Sequence, residues 1–167
     1  PAFADFKRDL DKKPPHKIRG EAIFLTGKPD IVPAALMHNL HHNKVLHSET
    51  VFLHLATEDI PRVPNAEKIN FEKLGGGFYR IIARHGFMET PRMATIFALS
   101  QEQGLEIELE DASFYLGREK LSLADDGEMR RWRASLFLFM ARNAMDASSF
   151  FGIPPQQIIE IGVRLQL

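Results

Sequence analysis

With 167 residues, 44% of them hydrophobic and 26% charged, the chain has the composition of a globular domain and enough length to bury a core without disulfide or metal staples. Its 21 basic and 22 acidic residues nearly cancel, so no net field favours nucleic acid or an anionic membrane as a partner. The lack of cysteine removes disulfides, thiol nucleophiles and thiolate metal sites, and agrees with a reducing compartment.

Residues 1–17 are rich in charge and place Phe3, Phe6 and Leu10 at helical spacing ahead of Pro14 and Pro15, which reads as a linker with a short amphipathic turn. Residues 18–167 read as a single α/β domain. Ala22–Leu25 and Val51–Leu55 are short, almost continuous apolar runs, the pattern of strands covered on both faces. Between them the spacing predicts a helix over about 33–43, opened by Pro33 and carrying Pro33, Leu36, Met37 and Leu40 on one face. Strand, helix and strand in this order predict a βαβ unit with parallel strands and a right-handed crossover.

Glu67–Leu74 and Phe78–Phe87 flank Gly75, Gly76 and Gly77, a loop suited to the positive φ angles of a hairpin. That loop sets Glu72 against Arg80 and Phe71 against Ile81, with Lys68, Glu72, Arg80 and Arg84 on one face and Phe71, Tyr79, Ile81, Ala83 and Phe87 on the other. A helix over about 93–103 ends at Gly104, an extended segment follows over 112–123, and the longest helix is predicted over about 127–151 before Gly152 and Pro154-Pro155. The alternation of Ile159, Ile161, Val163 and Leu165 with Glu160, Arg164 and Gln166 predicts a closing strand over 158–167. The expected architecture is therefore α/β: a mixed sheet built on a βαβ unit, with an antiparallel hairpin and a C-terminal strand, flanked by about three helices.

No stretch reaches the roughly 18–20 uncharged apolar residues that a membrane helix requires; the most apolar run, 134–141, lies between Arg133 and Arg142. Pro1 in place of an initiating Met, with no leader pattern after it, reads as a piece of a longer chain.

Candidate chemistry is sparse. His38 and His42 stand at i, i+4 beside His41, but on the helical wheel they oppose the apolar stripe and lack a third ligand, so they read as solvated and no metal is expected. Thr26, Gly27 and Lys28 follow the first strand and precede a helix, where open α/β sheets gather ligands and where backbone N–H groups can hold an anion. An ordinary turn is the alternative, because neither GxGxxG nor GxxxxGK[ST] occurs. There is no GxSxG, and Ser100, Ser148 and Ser149 have no recognisable companions, so no enzyme and no cofactor are expected. His85 lies on the apolar side of its strand and reads as a neutral, hydrogen-bonded structural histidine. On the longest helix Met129, Trp132, Leu136, Phe139 and Met140 form the apolar face around Asn143, which reads as a buried amide needing partners, opposite a charged strip with Glu128, Arg131 and Arg142.

Several phrases carry a resemblance: Arg19-Gly20 with Ala22-Ile23-Phe24-Leu25-Thr26, Pro33-Ala34-Ala35-Leu36-Met37-His38-Asn39-Leu40 leading into His42-Asn43-Lys44-Val45-Leu46-His47, Gly86-Phe87-Met88-Glu89, Trp132-Arg133, Arg142-Asn143-Ala144, and Phe150-Phe151 with Ile153-Pro154-Pro155. Over about residues 18–167 they resemble the C-terminal cytoplasmic region of Kup-type potassium uptake permeases, proton-coupled symporters of the bacterial inner membrane, with His85 where that family's pattern has Tyr. The resemblance implies a regulatory domain on the cytoplasmic face whose partner is the membrane domain of the same permease, with no potassium site of its own, since the ion path belongs to the membrane helices. A structural or dimerising domain without ligand, in which the homodimer is the partner, stays open beside it, with a stand-alone nucleotide-binding protein or hydrolase behind both. Some members of the family have cytoplasmic regions that resemble universal stress proteins and bind cyclic di-AMP, which makes a nucleotide a candidate ligand without assigning it residues here.

Overall fold

The structure, a computed structural model, describes residues 1–118 and 152–162. In chain order the described elements are α1 (Phe3–Lys12), β1 (His16–Thr26), α2 (Ala34–Asn43), β2 (Val45–Glu58), the short α3 (Asn65–Lys68), β3 (Ile69–Gly75), β4 (Phe78–Gly86), α4 (Met93–Glu102), β5 (Ala112–Arg118) and β6 (Ile158–Gly162). The six strands form one mixed sheet in the order β3-β4-β2-β1-β5-β6, in which β3 and β4 are antiparallel and every other pair is parallel. The mixed α/β class and the parallel βαβ unit β1-α2-β2 stand as the sequence predicts.

The continuous apolar runs of the central strands follow from burial on both sides. Ile23, Val51, Leu53, Leu55, Ile81 and Phe114 pack under Met93, Ile96 and Phe97 of α4. On the other face Ala22, Phe24, Leu46 and Phe52 pack under Phe6 of α1 and Ala35 and Leu36 of α2. The β1-to-β2 crossover runs one way along the sheet and the β4-to-β5 crossover runs the other way, so right-handed connections put α2 and α4 on opposite faces. The chain thus reverses direction at β1 and its neighbour β5, the place where open α/β sheets leave a crevice.

The hairpin register is the predicted one: Phe71 opposes Ile81 and Glu72 opposes Arg80, with an Arg80–Glu72 ion pair at 2.8 Å. The turn is carried by Gly75, Gly76 and Gly77 at φ of 84°, 66° and 84°. At Gly77 a Cβ would sit 2.2 Å from the Ser48 carbonyl, and the Gly77 carbonyl accepts from the Thr50 N–H, so this glycine also ties the hairpin to β2. The exposed edge of β3 is occupied by a side chain. Gln103, just past α4, accepts from the Phe71 N–H at 3.3 Å and donates to the Ile69 carbonyl at 2.9 Å, copying the pattern of a neighbouring strand.

Several boundaries differ from expectation. The strand expected from Glu67 begins at Ile69, because the chain after Pro64 first closes the turn of α3, and Lys68 leaves the charged face of the hairpin to meet Glu89. The strand ending at Phe87 stops at Gly86, and Phe87, expected on the apolar face, is 61% exposed because its N–H is drawn into a turn against the Ile60 carbonyl. On α2 the buried residues are Ala35, Leu36 and Asn39, while Met37 is 37% exposed; the stripe is rotated by about one residue, and Asn39 enters the core with its carbonyl oxygen accepting from the Asn43 amide at 2.6 Å. The stretch 1–17 is more ordered than a linker with a turn: α1 is ten residues long, Phe6 is buried, Phe3 lies 5.5 Å from Phe78 and 5.8 Å from Phe52 between ring centroids, and β1 starts at His16. Residues 119–151 and 163–167, with the predicted long helix, Asn143 and the end of the closing strand, lie outside the described residues.

Candidate functional site

Two constructions occupy the carboxyl ends of the parallel strands. The first is the turn after β1. Thr26 is buried, and its hydroxyl donates to the Lys28 carbonyl at 3.1 Å, so the side chain builds its own turn. The Thr26 carbonyl accepts from His54 Nδ1 at 3.2 Å, which fixes the proton on that ring nitrogen. Gly27 and Lys28 are half-buried, and the chain then folds back: the Ile31 N–H bonds to the Lys28 carbonyl, Val32 donates to Pro1, and Asp30 lies 3.8 Å from Arg80. Pro33 caps α2 in an extended conformation without a side-chain hydrogen bond. Thr26, Gly27 and Lys28 are thus brought together beside the start of α2, at the reversal in strand order, as expected of the location. The rings of His38 and His42 lie with centroids 4.3 Å apart, tilted by 50°, and among the described residues no group of three or more His, Asp or Glu could hold a metal ion.

The second construction joins the loops after β2 and β4 and was not foreseen. Glu89, 16% exposed, accepts from the N–H groups of Gly86 at 2.8 Å and Val63 at 2.9 Å and pairs with Lys68 at 2.7 Å. Burial works against its ionisation, but these donors, led by the Gly86 N–H and the Lys68 ammonium, hold the carboxyl down at about 2. Phe87 and Met88 donate to the carbonyls of Ile60 and Pro61. Gly86 is obligatory for a different reason from the hairpin glycines: an added Cβ would lie 2.2 Å from the Pro61 carbonyl oxygen and 2.5 Å from that of Ile60. The signal was present in the sequence as Gly86-Phe87-Met88-Glu89, but the partners Val63 and Lys68 lie more than twenty positions away.

Beside this clamp is a cavity of about 70 Å³ lined by His85, Arg84, Thr95, Ile96 and Leu99 among others. His85 is half-buried, with Nε2 3.0 Å from the Thr57 hydroxyl; burial lowers its pKa, keeping the ring neutral as the sequence suggested.

A mixed sheet of this kind is common to many functions, and it is the match of residues that places the chain. Residues 19–167 match the family model of the K+ potassium transporter C-terminal domain, and the chain belongs to that family. More narrowly, it is a C-terminal domain of the Kup type: it is 47% identical over 98% of its length to a "Probable potassium transport system protein Kup" of Chlorobium chlorochromatii, and 48% identical over 90% of its length to a Kup 1 protein of Paramagnetospirillum magneticum. A Kup protein of Myxococcus xanthus is 44% identical over 92% of the chain. The chain covers 26%, 24% and 24% of these three relatives, about a quarter of each. No solved structure matches it. Among the described residues no helix is long and apolar enough to cross a membrane.

Proposed function

We propose that the domain is the cytoplasmic, regulatory part of a proton-coupled potassium symporter of the bacterial inner membrane, with the membrane-embedded portion of the same protein as its partner. The observation that carries this reading is the family match across nearly the whole chain to proteins named for potassium transport. The relatives are named as transporters and not as enzymes, which agrees with a domain that performs no turnover of its own.

A ligand would be expected at the turn of Thr26, Gly27 and Lys28. The reversal of strand order supports that location, and the start of α2, which no side chain caps, together with Lys28 suits an anionic group such as a nucleotide phosphate. Thr26 would contribute through the shape of the turn, since its hydroxyl is engaged. Regulation requires that such a ligand bind two states of the transporter with different affinity. The test has two arms. Rubidium or potassium uptake is measured in cells that depend on the full-length transporter, with and without residues 1–167, and the transporter is screened for thermal shifts with adenine nucleotides and cyclic dinucleotides, using Lys28→Ala as the binding variant. Altered uptake and a shift weakened by Lys28→Ala are expected. Unchanged uptake with no shift would leave a structural or dimerising role.

A further inference from the structure

Among the described residues the large hydrophobic side chains left exposed are Ile31, Met37, Ile60, Phe87, Met88 and Ile159. Ile60, Phe87 and Met88 form one group, 45%, 61% and 68% exposed, at the tip where β2 and β4 end. Their backbone is the most heavily braced loop structure described above, with Phe87 and Met88 bonded to the carbonyls of Ile60 and Pro61 and the turn closed by Glu89. Bracing of this kind fixes the three side chains in place, and apolar side chains held in a fixed arrangement are what a protein contact uses with least loss of conformational freedom.

The surrounding charge and the size of the patch select its occupant. Lys68, Arg62, Arg84 and Arg92 are set against Glu58, Asp59 and Glu89, with Lys68–Glu89 and Arg84–Glu58 already paired at 2.7 and 3.5 Å, so the rim lacks the run of basic residues that draws an anionic lipid surface. Three side chains also fall far short of the roughly 800 Å² per partner typical of a stable association between separate molecules. A contact within one chain needs much less, because the tether supplies an effective concentration in the millimolar range. About three-quarters of each relative lies outside the matched region, and the matching model is a C-terminal one. The start of α1 is suitably placed for such a tether. Pro1 and Ala2 are held to Val32 and Ile31 beyond the carboxyl end of β1, and α1 runs from there towards the opposite end, where Lys7 donates to the Leu74 carbonyl beside the hairpin.

We infer that Ile60, Phe87 and Met88 form the docking surface by which this domain seats against the preceding, membrane-embedded portion of its own transporter. The inference rests on the reading of the chain as a domain of a longer Kup protein, and the experiment separates the two. A photoreactive benzophenone amino acid is placed at position 87, at 88 and, as an exposed control at the hairpin end, at 73, in the full-length transporter in native membranes; cross-linked products are sized and mapped by mass spectrometry. A product no longer than this domain would overturn the parent reading itself. With the full-length chain present, cross-links from 87 and 88 to earlier residues of the same molecule, at least fivefold more abundant than from 73, are expected. Cross-links to lipid, to position 87 of a second copy, or no excess over position 73 would overturn the docking. As a second measurement, Phe87→Asp and Met88→Asp, both at exposed positions, should raise limited proteolysis at the junction before Pro1 severalfold relative to Lys73→Asp, and equal cleavage in all three would also overturn it.

Discussion

The turn after β1 and the clamp joining the ends of β2 and β4 occupy equivalent places at the carboxyl edge of the same sheet, yet they are built by opposite means. Residues 26–33 are shaped by separate single contacts, with Thr26 bonding two residues ahead and the rest of the turn touching Pro1, His54 and Arg80 one at a time. The clamp is held by one ionised carboxylate that gathers a lysine and two backbone N–H groups from segments far apart in sequence. Local bonding can be exchanged for bonds to water or to a ligand at small net cost. A buried carboxylate with several donors cannot be released without leaving all of them unpaired. The first region is therefore the more easily rearranged of the two, and the second keeps one shape.

The comparison breaks most sharply at Gly86. Gly86→Ala drives a methyl group into the carbonyls of Ile60 and Pro61 and should cost roughly 3 kcal/mol, a fall of about 10 °C in melting temperature for a domain of this size. At Gly76 a Cβ would meet only the Phe78 ring at an ordinary contact distance of 3.8 Å, so Gly76→Ala, whose φ of 66° alone costs about 1–2 kcal/mol, serves as the control for backbone conformation without crowding. A comparable loss in both variants would mean that backbone conformation, not the crowding of the two loops, governs the clamp.

Next in size is Glu89→Gln, which leaves Lys68 without its anion where its side chain is only 20% exposed and should cost roughly 2–3 kcal/mol. The sign with pH follows from a folded value of about 2 against an ordinary 4.5: the contribution is complete above pH 4.5 and is lost as the pH falls towards 2. Chemical denaturation of the wild type between pH 5 and pH 3 should show that slope, and Glu89→Gln should flatten it. An unchanged slope in the variant would assign the acid sensitivity elsewhere. The smallest effect belongs to the adaptable turn. Thr26→Val removes the hydroxyl bond to Lys28 but keeps the buried shape, and should cost about 1 kcal/mol; a loss as large as that of Glu89→Gln would erase the distinction between the two regions.

What the sequence made legible followed local chemistry. Three glycines with charge and apolar pairs on either side specified the hairpin's register, because turn geometry and strand parity constrain it together, although Gly75 itself pairs with Phe78 across a bulge at the end of β3. The apolar runs located β1 and β2 but not their lengths, since His16 and Glu58 lie in strands whose ends are held by backbone pairing rather than by burial of side chains. The burial of Asn39 was not legible for a related reason: a helical wheel reports residue type, whereas Asn43 one turn later supplies the partner that lets an amide be buried. The turn of Thr26, Gly27 and Lys28 could be located because strand, turn and helix are consecutive in the chain. The clamp could not, because Glu89 acquires its role from Val63 and Lys68, and nothing local in any of the three segments specifies the other two.

The side chain of Gln103 has a consequence for how the molecule behaves in a crowded cell. β3 is an edge strand, and its outward Ile69 carbonyl and Phe71 N–H are the spacing at which a further strand would add. With one flexible amide seated in both positions, that edge offers no template there for aggregation. The protection belongs to a residue just beyond α4, so any event that frees the end of that helix from the sheet would also uncover an adhesive edge.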